Sequence, residues 1–135
     1  MRGEYTVDAK GRLNFPAKLR SDFGDRFHIA LSIYDPCLVV YNEESWQELI
    51  QKIEAMPMDS SMTLLRYIVG NAVDAEPDKQ GRIAISQFLR DSVGIKTNIT
   101  IFSLGSKAEI WDTETLKENE VSIAEIRKIA RKEGL

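Results

Sequence analysis

The chain has 135 residues, 43% of them hydrophobic and 29% charged, with a net charge of −3. That length suits one domain with a modest core, and the composition is that of an ordinary globular protein. No stretch approaches the ~20 apolar residues of a membrane-crossing helix. Met1-Arg2-Gly3-Glu4-Tyr5 holds no apolar run for a secretory leader, and the lone Cys37 cannot form an internal disulfide, so a cytoplasmic protein is expected.

Taken in chain order, Glu4 to Val7 alternates and reads as a strand. Asp8-Ala9-Lys10-Gly11 reads as a turn, because Asp caps its own backbone and Gly tolerates positive φ. Arg12 to Phe15 then returns as a strand, which predicts a hairpin. Pro16 opens a short helix over Ala17 to Phe23, and Gly24 stops it. Phe27 to Ile33 alternates again, Tyr34-Asp35-Pro36 turns the chain, and Leu38 to Tyr41 reads as a buried strand. Glu43 to Met56 is helical, with Trp46, Leu49, Ile50 and Ile53 on one face, and Pro57 ends it. A second helix is expected with Ser60 or Ser61 as cap and Leu64, Leu65, Ile68 and Val69 as its apolar positions.

Val73 begins a second copy of the same plan. Asp78-Lys79-Gln80-Gly81-Arg82 lies over Asp8-Ala9-Lys10-Gly11-Arg12 at an offset of 70 residues. Continued without a gap, Leu13 meets Ile83, Phe15 meets Ile85, Leu19 meets Leu89, Arg20 meets Arg90, Ile29 meets Ile99 and Val40 meets Ile110. Strands are predicted over Arg82 to Ile85, Asn98 to Leu104 and Ala108 to Trp111, with short helices near Ser86 to Val93 and Thr113 to Glu120. The tail from Ser122 to Lys132 carries Ile123, Ile126, Ile129 and Ala130 at helical spacing, an amphipathic helix whose apolar face needs a cover. With no flexible linker between the copies, the expectation is a single compact α+β domain. Its repeats lie at about 3–56 and 73–120, joined by a helical segment and followed by a C-terminal helix at 121–135.

Charge is unevenly spread. In residues 1–20, Arg2, Lys10, Arg12, Lys18 and Arg20 against Glu4 and Asp8 give +3. In residues 78–96, Lys79, Arg82, Arg90 and Lys96 against Asp78 and Asp91 give +2. In residues 43–59, Glu43, Glu44, Glu48, Glu54 and Asp59 against Lys52 give −4. Each repeat therefore starts basic, and the helix between them is acidic.

Catalytic chemistry has few candidates. The single His28 lies inside an alternating strand, where a structural role is favoured, and Cys37 reads as a small buried apolar residue. There is no His/Cys cluster of metal-site spacing, no phosphate-binding Gly-Lys-Ser/Thr loop and no nucleophile elbow, so neither an enzyme nor a cofactor is expected. The Asp-x-x-x-Arg turn has two readings. Asp8, Gly11, Asp78 and Gly81 are accounted for by turn geometry, and Arg12 could simply pair with Asp8. A turn needs no guanidinium, however, and a planar fork beside a two-stranded ribbon suits phosphate or a guanine edge in the major groove.

At these residues the sequence resembles the MraZ family of bacterial transcriptional regulators. The resemblance rests on Arg2-Gly3-Glu4, Asp8 to Leu13, Pro16 to Arg20, Cys37 to Tyr41 with Trp46, Asp78 to Ile83, and Glu109 to Asp112, and covers roughly residues 3–118. It implies an AbrB-like, swapped-hairpin β-barrel, here built by two repeats within one chain and dressed with peripheral helices. It implies ring-shaped homo-oligomers, octamers or larger, in the nucleoid. These would bind double-stranded DNA at short direct repeats in the promoter of the division and cell-wall gene cluster, generally as a repressor. Arg12, Lys10, Arg2, Lys18, Arg82 and Lys79 become the DNA-binding candidates, with no membrane or small-molecule substrate involved. Gln80 and Ser86 depart from the first copy's Lys10 and Pro16, which implies a weaker DNA grip or a more structural role for the second copy. The runner-up is an antitoxin-like module of the same fold that binds both DNA and a protein toxin.

Overall fold

The computed structural model describes residues 1–135. Its strands are β1 (Arg2–Thr6), β2 (Arg12–Asn14), β3 (Phe27–Leu31), β4 (Leu38–Tyr41), β5 (Val73–Ala75), β6 (Arg82–Ala84), β7 (Asn98–Ser103) and β8 (Lys107–Asp112). Its helices are α1 (Ala17–Phe23), α2 (Glu43–Glu54), α3 (Met58–Leu64), α4 (Gln87–Ser92), α5 (Thr113–Asn119) and α6 (Ile123–Lys132), with a π-helical turn at Leu65–Val69 continuing α3. No helix is long and apolar enough to cross a membrane. The class is α+β, as expected, with every strand pair antiparallel.

Six strands form one sheet in the order β1-β7-β8-β4-β3-β5, and β2 pairs with β6 in a separate two-stranded ribbon. The expected β1–β2 hairpin does not form. The turn itself closes, with the Asp8 N–H donating to the Arg12 carbonyl and the Gly11 N–H to the Asp8 carbonyl, both at 2.9 Å. Beyond the turn the strands part. β1 joins β7 of the second repeat, β5 joins β3 of the first, and β2 joins β6. Three-residue strands are too short to hold a lone hairpin in water. Exchange instead lets Leu13 and Ile83, each almost fully buried, face one shared interior. The sheet stays open at β1 and β5, and no pairing joins these edges.

Register corrects the gap-free repeat alignment. Tyr5 stands opposite Ile99, whereas its counterpart Ala75 stands opposite Phe27. His28 stands opposite Tyr41, and Thr100 opposite Trp111. The third strands of the repeats are therefore related by 99 − 27 = 72 residues, and Ile29 corresponds to Ile101 rather than Ile99. Two extra residues before β7 are offset by a shorter β7–β8 turn. The offset returns to 70 at the helix caps, where Asn42 accepts from the Ser45 N–H at 2.8 Å and Asp112 from the Thr115 N–H at 3.1 Å.

The other helix starts follow local chemistry. Ser86 caps α4 by accepting from the Leu89 N–H, while Pro16 opens α1 with no side-chain cap. The expected Ser60 or Ser61 cap is replaced by Pro57, whose fixed φ of −53° starts α3 at Met58. Ser122 caps α6.

The main core holds 19 buried side chains, nine from the first repeat and ten from the second. Counterparts differ in shape: Phe15, Phe23 and Phe27 of the first copy answer to Ile85, Val93 and Ile99 of the second. Phe27 stacks on Phe15 at 4.6 Å and meets Phe23 edge-on at 6.3 Å, so one wall is aromatic and the facing wall aliphatic. Two smaller clusters lie outside it. One centres on Tyr41, Trp46 and Ile68, the other on Cys37, Trp111 and Leu116. Burial, and secondarily the Glu109 charge, push the Cys37 thiol up to about 12, which suits a packing residue. His28 has a structural setting too: its ring nitrogens lie 2.7 Å from Asp74 and 2.7 Å from Glu43, and its ring stacks on Trp46. It thus ties the edge strand β5 to α2.

Candidate nucleic-acid interface

The two Asp-x-x-x-Arg turns are the same object built twice. Asp8 Oδ1 accepts from the backbone N–H groups of Lys10 and Arg12, each at 2.9 Å, and Oδ2 accepts from Arg12 Nε at 2.9 Å. Asp78 does the same with Gln80, Arg82 and Arg82 Nε at 2.9, 2.9 and 3.0 Å. The structural reading of the turn is therefore realised, in both copies. The Asp–Arg pair exists, but it uses only Nε. The terminal nitrogens of each guanidinium take no protein partner, and each Arg side chain remains about a third exposed (38% and 34%).

The Arg12 backbone hydrogen bond, with its side-chain bond and the Lys10 amide, holds the Asp8 carboxyl below its ordinary range, and Arg82 with Gln80 does so for Asp78. A carboxylate depressed in the folded state contributes stability that is present above its unfolded value and lost as pH falls through its folded value. The stability gap between wild type and Asp8→Asn should accordingly be full at neutral pH and close as pH drops below about 4. Chemical denaturation across a pH series measures it. A gap that persists unchanged at low pH would refute the assignment.

Strand exchange decides where the arginines end up. In the β2–β6 ribbon Arg12 stands opposite Ala84 and Arg82 opposite Asn14. Side chains alternate along each strand, so Leu13 and Ile83 point to the core, and Arg12, Asn14, Arg82 and Ala84 share the other face. The two arginines, 70 residues apart in sequence, are diagonal neighbours on one ribbon. Lys10 and Lys79 are exposed on the turns that flank it.

The remaining candidates are not brought there. Arg2 lies on β1 opposite Phe102, with its guanidinium 5.3 Å from the centre of that ring and 3.6 Å from Glu120. Lys18, on α1, has its amine against the Met1 sulfur. Arg2 and Lys18 line a common recess with Tyr5 and Ile101, to which β2 and β6 contribute no residue. Sequence reasoning missed Asn14 and Ala84, whose place follows only from the β2–β6 register, and it gave no role to Arg20 and Arg90 although their alignment at offset 70 marked them. No group of three or more His, Cys, Asp or Glu is placed to hold a metal ion.

A family model described as "MraZ protein, putative antitoxin-like" matches residues 3–65 and 68–133, once for each repeat. The chain is 36% identical over 129 residues to the Transcriptional regulator MraZ of Thermoanaerobacter pseudethanolicus, covering 91% of this chain and 90% of that one. It is 38% identical over 120 residues to that of Lachnoclostridium phytofermentans, covering 87% and 84%. It is 36% identical over 135 residues to that of Heliobacterium modesticaldum, covering 96% and 94%. With a double family match along nearly its whole length and relatives of this identity, the chain belongs to the MraZ family.

Proposed function

We propose that this chain is a sequence-specific, double-stranded DNA-binding transcriptional regulator, not an enzyme, working in the nucleoid. The observation that carries this reading is the ribbon on which Arg12 and Arg82 stand together with free terminal nitrogens. A two-stranded ribbon fits the major groove, and an unencumbered guanidinium fork matches the O6 and N7 acceptors of guanine. Lys10 and Lys79 supply phosphate contacts from the flanking turns. Arg2 and Lys18 serve as a secondary basic site at most, given that they line a recess without ribbon residues and that Arg2 pairs with Glu120. We read the exchanged strands as the AbrB-like, swapped-hairpin barrel plan, with one domain spanning 1–135. The targets are short direct repeats in the promoter of the division and cell-wall gene cluster, where binding represses. Footprinting that promoter tests this, since protection recurring at each repeat is expected and uniform or absent protection would contradict it.

A chain of net charge −3 binds DNA weakly alone, because affinity grows with the number of phosphates neutralised. Assembly into a ring of eight or more copies aligns several ribbons with spaced repeats and multiplies the affinity. The feature that supports assembly is α6, whose Ile123, Ile126 and Ile129 are 60%, 50% and 50% exposed and touch no core. We expect Ile126→Asp to reduce a large species to small ones in light scattering. A wild-type chain that runs as a monomer would defeat the ring. In the antitoxin-like reading, favoured only by the wording of the family description, the same face of α6 would bind a toxin instead, and Ile126→Asp would leave self-association intact.

A further inference from the structure

Strand exchange has a second product at the turns. The Gly11 carbonyl accepts from the Ile85 N–H at 2.8 Å, and the Gly81 carbonyl accepts from the Phe15 N–H at 3.0 Å, so each turn is sewn to the other repeat. Each also has a guanidinium of the other repeat packed on its glycine. A Cβ added at Gly11 would lie 2.7 Å from Arg90 Nε and 2.5 Å from the Ile85 carbonyl oxygen. A Cβ added at Gly81 would lie 2.9 Å from a terminal nitrogen of Arg20 and 3.0 Å from its central carbon. These glycines hold φ values of 81° and 77°, so conformation and close approach both demand glycine there.

We propose that Arg20 and Arg90 are positioning residues, each bracing in trans the Asp-x-x-x-Arg turn of the other repeat. Arg90, on α4, holds the turn of Arg12; Arg20, on α1, holds the turn of Arg82. A planar guanidinium fills the flat space over a glycine peptide, which a flexible ammonium cannot do. The two braces are unequal. Arg90 Nε is itself anchored, donating to the Ile85 carbonyl at 3.1 Å, whereas Arg20 Nε is buried without a hydrogen-bond partner. The first turn is therefore the more firmly held.

The bracing role is read without DNA, and its effect on binding rests on the DNA-reading proposal above. Hydrogen exchange on the full chain is the measurement, because the Lys10, Gly11 and Arg12 amides and their counterparts Gln80, Gly81 and Arg82 are all hydrogen-bonded within their turns. Arg90→Ala should speed exchange about tenfold at 10–12 and leave 80–82 as in wild type, while Arg20→Ala should do the reverse with a smaller change. Arg90→Lys, which keeps the charge, should behave like Arg90→Ala. Should Arg90→Ala fold poorly, Arg90→Lys alone carries the comparison. Equal acceleration in both turns, no acceleration, or full protection in Arg90→Lys would each overturn the proposal. In titrations of a duplex carrying the promoter direct repeats, Arg90→Ala should weaken binding about tenfold and be non-additive with Arg12→Ala, while Arg20→Ala adds independently. If wild type fails to bind that duplex but exchange changes crosswise, the DNA reading falls and the brace stands.

Discussion

Replacing Arg12 with alanine should remove most specific DNA binding while leaving the fold intact. The side chain lies outside the core, and its only protein bond is the one from Nε to Asp8, so its loss costs little stability. Loss of one guanidinium that reads a base edge costs about 1–3 kcal/mol per site. In an assembly that engages several direct repeats at once, this deficit recurs in every subunit and compounds. A gel-shift titration on a duplex carrying the promoter direct repeats should show specific retardation vanish at protein concentrations that saturate with wild type, with thermal unfolding unchanged. Arg82→Ala should fall in the same direction by less, because the turn of Arg82 has the weaker brace, Arg20 Nε lacking the hydrogen bond that anchors Arg90. Lys10→Ala should weaken all sequences alike and lower the salt slope by about 1, the mark of a phosphate contact. Wild-type affinity in Arg12→Ala would make the Asp8–Arg12 pair a turn lock and nothing more.

Phe15→Ala should destabilise the entire chain by about 3–5 kcal/mol, and Ile85→Ala, its counterpart, by about 2–5 kcal/mol. Both side chains are 1% exposed and belong to a core filled almost equally by the two repeats. Phe15 also loses its stack on Phe27. Because β1, β2 and β5 each complete their pairing in the opposite repeat, a half on its own would keep only its β3–β4 or β7–β8 pair. Urea denaturation should accordingly give a single transition that shifts as a whole in either variant. Two separable transitions, only one of them moved, would mean that the repeats fold independently.

Much of this architecture was legible in the sequence. Local signals carried part of the helices: Pro16 and Ser122 stand where α1 and α6 begin as expected, whereas the caps Asn42 of α2 and Asp112 of α5 were not singled out. The turn also followed from local chemistry, since the Asp8 carboxylate and the positive φ of Gly11 are chosen by the residues themselves. Strand partners were not legible. Period-2 alternation identifies a strand and its buried face but not its neighbour, so an adjacent β1–β2 hairpin was the natural expectation, and the exchange to β7 and β6 overrode it. The same limit hid the register slip that makes Ile101, rather than Ile99, the counterpart of Ile29. Both are isoleucines on an apolar strand, and composition alone scores them equally. Within the site, basic residues near the turns were visible as a group, yet their division between ribbon and recess depends on tertiary placement. Arg12 and Arg82 converge, and Arg2 and Lys18 do not. The inferred weakness of the second copy finds no cause in the turn itself, where the Asp78 bonds match those of Asp8 within 0.1 Å. The change from Pro16 to Ser86 exchanges one way of starting a helix for another, and each turn carries one lysine, Lys10 or Lys79, which leaves the anchored Arg90 against the unpartnered Nε of Arg20 as the difference between the turns.

If DNA meets the outer face of the β2–β6 ribbon as proposed, site-directed photo-crosslinking should show it. A photoreactive amino acid at Asn14, which lies opposite Arg82 on the exposed face, should crosslink a duplex carrying the promoter direct repeats, and the same group at Glu48 on the acidic α2 should not. Crosslinks from position 48 with none from position 14 would contradict the account.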